Sequence, residues 1–105
     1  MDRQELIDAL KSLLWENDED KIILFINSAI AYINGYTFQN YSLNDLNLIP
    51  YDIFMVIIEL VKDKYHERIW VESERLSDYS ITYTTKDLSN DAKILLDRYR
   101  IIYVN

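Results

Sequence analysis

Apolar residues recur at helical spacing in three stretches of this chain, then change to strict alternation, then return to helical spacing. Leu6, Ile7, Leu10, Leu13 and Leu14 predict a first helix over 3–15, capped near Asp2 and favoured by Glu5 in its first turn. The polar run "ENDED", 16–20, is a connection in which Asp18 or Asp20 caps the next helix. Ile22, Ile23, Phe25, Ile26, Ala29, Ile30 and Ile33 form the wide apolar face of a second helix. The only glycine, Gly35, follows Asn34 and reads as a left-handed C-cap that stops it.

Residues 36–49 lack a clean period. A short helical turn from Ser42 through Leu46 is expected there, with Ser42 capping and Asp45 three residues on. Pro50 suits the first turn of a third helix, which runs to about Ile69. Ile53, Phe54, Ile57, Ile58, Leu60, Val61 and Tyr65 cover so much of its circumference that it is expected at the centre. A fourth helix follows, capped by Ser89, started by Asp91 and facing inward through Ala92, Leu95, Leu96 and Tyr99, with Lys93 and Asp97 as an exposed pair.

Between helices three and four the period changes. Tyr79, Ile81 and Tyr83 alternate with Ser80, Thr82 and Thr84 like one face of a strand, yet no second clear strand accompanies them. An isolated strand is unstable in water, so the 73–85 segment needs a partner from its own bent continuation, a neighbouring subunit or another protein. The expected fold class is mainly α: one domain, 1–105, a small bundle of about four helices with a short β-hairpin or extended arm between helices three and four. The stretch "RIIYVN" adds four bulky apolar residues that either pack back on the helices or are offered to another protein, the second being favoured because the helices are already well supplied.

Composition narrows the functional classes. Half of the 105 residues are apolar and 28% are charged, a balance that folds. The absence of cysteine removes thiol catalysis, disulfides and thiolate metal sites. No basic segment followed by an apolar run opens the chain, so a signal peptide is not expected, and the apolar run 53–58 is far shorter than a membrane span. The formal charge of −7 opposes gripping a phosphate backbone. Residues 1–52 carry nine acidic and three basic side chains, whereas 53–105 carry nine and eight, so the excess sits in the first half.

No chemistry-bearing constellation stands out. His66 with Asp63 and Glu67 reads as a solvated helix surface before it reads as a metal site. Asn17, Asp18 and Asp20 lack the central glycine and the twelfth-position glutamate of a calcium loop. Glu59, Asp63 and Glu67 are expected on the solvent side of helix three. Lys62, Lys64, Arg68 and Arg75 interleave with Tyr65 and Trp70, but Asp63, Glu67, Glu72 and Glu74 cancel them. An enzyme is not expected, and neither metal nor cofactor is called for. Nine tyrosines and two tryptophans instead suit protein contact, or else complete a small core.

Several motifs, in this order and spacing, carry a resemblance that spans nearly the whole chain. They are "LIDALKSLL", the acidic turn with "DKIILFINSAIAYINGY", the proline-led "IPYDIFMVIIELVKDKYHER", the link "ESERLSDYSITYT" and the closing "LLDRYR". Together they resemble the small head–tail connector, or head-completion adaptor, proteins of long-tailed double-stranded DNA phages and related prophages. The resemblance implies a mostly helical virion protein, assembled in the host cytoplasm as a dodecameric ring under the portal protein. Such a ring extends the DNA channel and receives a stopper or tail-completion protein; double-stranded DNA passes through without specific binding, no membrane is involved, and there is no catalytic step or cofactor.

Carried onto this chain, Ser73, Leu76, Asp78, Tyr79, Ile81 and Tyr83 would form the subunit or channel arm. Arg98, Arg100, Ile101, Ile102, Tyr103 and Val104 would dock on the portal. Many relatives have glycine where this chain has Ser77, so no left-handed residue is required at that bend. Excess carboxylate facing a channel would repel phosphates and let DNA slide. A generic helical protein-interaction or regulatory module is the alternative that the same surface features allow.

Overall fold

Local capping chemistry starts each helix in the computed structural model, which describes residues 2–68 and 83–101. Helix α1 (Arg3–Leu14) begins where the Glu5 amide donates to the Asp2 carboxylate at 2.8 Å. Helix α2 (Glu19–Thr37) uses Asp18, not Asp20, as its cap, with the Lys21 amide 3.3 Å from the carboxylate. Helix α3 (Tyr51–Arg68) starts directly after Pro50, whose carbonyl accepts from the Phe54 amide at 2.9 Å. Helix α4 (Asn90–Tyr99) is capped by Ser89, whose hydroxyl accepts from the Ala92 amide at 3.1 Å.

The end of α2 corrects the sequence-based expectation. Gly35 does not stop the helix: it lies inside α2 without a positive φ, and the left-handed residue is Phe38 at φ 59°. Tertiary contacts extend the helix past the glycine. The Thr37 hydroxyl donates to the Ile33 carbonyl at 2.7 Å, and Tyr36 reaches across to α4. Asn34 acts from within the helix instead, donating to the Tyr41 carbonyl and accepting from the Tyr41 amide, both at 2.9 Å, so that it clamps the chain reversal beyond the helix end.

Three further expectations shift by a few residues. Ser42 to Asp45 make a simple turn, with the Asn44 amide on the Ser42 hydroxyl, and the helical turn comes afterwards as a 3-10 segment, Leu46–Leu48. Asp97 accepts from Tyr36 instead of pairing with Lys93. Thr85 does not continue a strand, because Thr84 and Asp87 close a reciprocal capping box around a 3-10 segment, Thr85–Asp87.

The core lies between α2 and α3, which make the most extensive contact; α1 and α4 each pack on both. The centre is therefore shared by α2 and α3 and does not belong to α3 alone. Ile22, Phe25, Ile26 and Ile33 of α2 meet Ile53, Ile57 and Leu60 of α3, all fully buried, with Leu6, Ile7 and Leu10 of α1 on one flank and Leu96 of α4 on the other. Successive helices run antiparallel. The α1–α2 turn, the end of α3 and the start of α4 share one end of the bundle, while the end of α2, the start of α3 and the end of α4 share the other. The described residues form a mainly helical bundle of four α-helices and contain no strand. The arm expected between helices three and four falls largely on 69–82, outside the described residues.

Candidate functional site

The residues expected to dock and to brace separate to the two ends of the bundle. At the first, here the arm end, the chain re-enters the described structure at Tyr83. Of the arm residues, Ser73, Leu76, Asp78, Tyr79 and Ile81 lie outside the described residues. Tyr83 belongs to the chain's own core, 7% exposed, with its hydroxyl 3.5 Å from the Leu60 carbonyl and its ring tilted against Tyr32. Burial pushes the Tyr83 hydroxyl far above its ordinary range, and Asp87 and Glu67 add to this. The root of the arm is thus internal.

Lys64 fixes that root. It is buried, a rare state for lysine. Its ammonium lies 3.0 Å from Asp87 and 3.3 Å from Glu67, and 5.2 Å from the centre of the Tyr83 ring. Asp87 in turn accepts from the Thr84 amide at 2.7 Å. Lys64 therefore joins α3 to the segment entering α4, and it is not free for the basic and aromatic interleaving noted in the sequence.

A second polar knot closes the same end. Glu16 accepts from the Tyr65 hydroxyl at 2.7 Å and the Asp18 amide at 3.0 Å, and pairs with Lys21 at 3.1 Å. Burial alone would raise the Glu16 carboxyl, but the Tyr65 and Asp18 bonds and the Lys21 charge outweigh it and hold the pKa below 4.5. The other side of the bond shows in Tyr65, pushed up to about 12 by burial and by Glu16. Neither Glu16 nor Lys64 is marked by any local sequence signal, since their partners lie far along the chain.

At the opposite, tail end, Arg98, Arg100 and Ile101 come together, while Ile102, Tyr103 and Val104 lie outside the described residues. The Ile101 amide donates to the Thr37 carbonyl at 2.8 Å, satisfying a carbonyl in the last turn of α2. Gln39 donates to the Tyr99 carbonyl at 2.7 Å. Arg100 lies 5.4 Å from the Tyr36 ring centre and 5.6 Å from that of Phe38. The Tyr36 hydroxyl donates to Asp97 at 2.8 Å, a bond that together with burial raises its pKa, and the Tyr99 hydroxyl donates to Asp52 at 3.3 Å. Ile101 stays 39% exposed after this pinning, and Arg98 points to solvent.

The exposed surface sorts by charge and polarity. Asp2, Glu5, Asp8, Asp18 and Asp20 are all exposed along α1 and the α1–α2 turn. Beside the tail end, Leu46, Asn47, Ile49, Tyr51 and Phe54 line an apolar depression of about 380 Å³, with Leu48, Tyr51 and Met55 exposed around it. Glu59, Asp63 and Glu67 are on the solvent side of α3, as their spacing predicts. Among the described residues no three histidine or acidic side chains gather as a metal site, and no helix is long and apolar enough to cross a membrane. Comparison with protein-family profiles, curated proteins and solved structures gives no match.

Proposed function

We propose that the chain is a structural subunit of a phage head–tail connector: a ring, dodecameric on the portal protein, that extends the DNA channel and carries a stopper or tail-completion protein. The observation that carries this reading is the segregation of exposed carboxylate along α1 and the α1–α2 turn, combined with the motif order described above. A flank of this kind facing the channel would repel the DNA backbone within about 8–10 Å at cellular salt, enough to keep a passing duplex from adhering. Arg98, Arg100 and Ile101 through Val104 meet the portal, and the segment from Ser73 to Thr85 braces the neighbouring subunit or the channel from a root held by Tyr83 and Lys64. The protein has no catalytic step and takes no cofactor.

The test is electron microscopy of the purified chain mixed with its portal. Closed annular layers seated on the portal are the expected result. A protein that stays monomeric and ignores portal would overturn the proposal; failure to form rings in isolation would not, since assembly can require the platform.

A further inference from the structure

Trp15 has no structural use in the bundle. It is 92% exposed, next to Leu13 at 51%, and it sits just past α1 in the left-handed region at φ 56°, a conformation unfavourable for a bulky side chain. The Glu16 amide bonds the Lys11 carbonyl at 2.9 Å, which closes the helix end and leaves the indole outside. Glu16, Asp18, Glu19 and Asp20 surround it in sequence; the nearby Lys11 and Lys21 are engaged with Glu19 at 4.0 Å and Glu16 at 3.1 Å.

We infer that Trp15, with Leu13 and the carboxylates around it, is a docking knob for another protein that presents an apolar socket with a basic rim. Charge selects that occupant. The depression beside Leu46 adjoins Asp2 and Asp45, so a second copy offering it would meet the knob with like charge. The 69–82 segment is also net acidic, with Glu72, Glu74 and Asp78 against Arg75. Position then selects the partner, and this step rests on the connector reading: Trp15 is at the arm end, opposite Arg98, Arg100 and Ile101. If the tail end meets the portal, the knob faces the stopper or tail-completion protein.

The experiment uses the full chain and Trp15→Gly. Glycine removes the indole and is at ease at positive φ, so the variant should unfold at the same temperature as wild type or higher. Its affinity for the purified stopper protein, measured on portal-bound rings, should fall ~30-fold or more, as for a buried aromatic anchor, with portal binding unchanged. Wild-type affinity should also fall as salt rises. A folded Trp15→Gly chain that binds stopper as tightly as wild type would overturn the inference while leaving the connector reading intact. Sedimentation showing Trp15-dependent self-association would reassign the knob to a second copy and overturn it too. Wild-type protein that binds neither portal nor stopper would sink both.

Discussion

The two ends of the bundle are joined by different chemistry. Every ion pair among the described residues lies at the arm end: Lys64 with Asp87 and Glu67, Lys21 with Glu16, and Lys11 with Glu19. The tail end is joined by main-chain and amide bonds at Thr37, Gln39 and Asn34, by tyrosine hydroxyls, and by Arg100 over two rings. Charge pairs respond to salt and pH, whereas main-chain bonds depend mainly on geometry. The arm end is thus the adjustable end, and the tail end holds a fixed exit direction for whatever follows Ile101.

The largest break in this contrast comes from Tyr83→Ala. Removing a buried ring should destabilise the bundle by about 3–5 kcal/mol in urea denaturation, since the ring fills space between α2 and α3. Tyr83→Phe should cost much less, because its hydroxyl is a long 3.5 Å from the Leu60 carbonyl. If both substitutions are harmless, Tyr83 belongs to a surface arm and not to the core.

Lys64→Ala is next. It leaves Asp87 half-covered beside Tyr83 without its counter-charge, and about 2–3 kcal/mol should be lost, less than for a wholly buried pair because Asp87 keeps some solvent and the Thr84 amide. Hydrogen exchange should show the loss concentrated at Thr85–Asp87 and the start of α4, with the Ile101 amide unaffected. Equal loosening at both ends would erase the distinction between them.

Glu16 gives a smaller effect with a defined pH window. Its folded pKa is lowered, so its contribution is present above the unfolded value near 4.5 and is lost as pH falls through the folded value. Acid should loosen the α1–α2 turn before the tail end, and Glu16→Gln should flatten that step at a cost of about 1 kcal/mol at neutral pH. Tyr65 works in the other direction: its folded pKa is raised to about 12, so its contribution holds below the ordinary value of 10 and fades as pH climbs from there through about 12. Urea midpoints followed from pH 7 to 3 and from 9 to 12, compared between wild type and Glu16→Gln, check both limbs.

What the sequence made legible follows the range of the interactions. The caps at Asp2 and Ser89, the start after Pro50 and the four apolar faces depend on residues within a turn or two, and all were readable. Asp18 and Asp20 could not be told apart, since either is correctly spaced. Lys64 and Glu16 were not readable as structural centres because Asp87 and Tyr65 are 23 and 49 residues away. Tyr83 followed a strand-like alternation whose last members are claimed by the core and by the Thr84 capping box. Likewise the outward display of Trp15 depends on where α1 stops relative to its neighbours, which periodicity alone does not fix.

Gly35 sharpens the comparison from the tail end, with the smallest effect and an opposite sign. A glycine acting as a left-handed helix stop would make alanine there destabilising by about 1 kcal/mol or more. Here Gly35 is helical and exposed, and a β-carbon added to it meets nothing within 4 Å. Alanine should therefore stabilise the protein by about 0.5–1 kcal/mol, through the freedom it removes from the unfolded chain. Phe38→Gly tests the true stop: it relieves the positive φ but removes a ring that Arg100 covers, so the two effects should nearly cancel. Destabilisation by Gly35→Ala in urea denaturation would mean that α2 ends at the glycine, and the anchoring of Ile101 on Thr37 would lose its support.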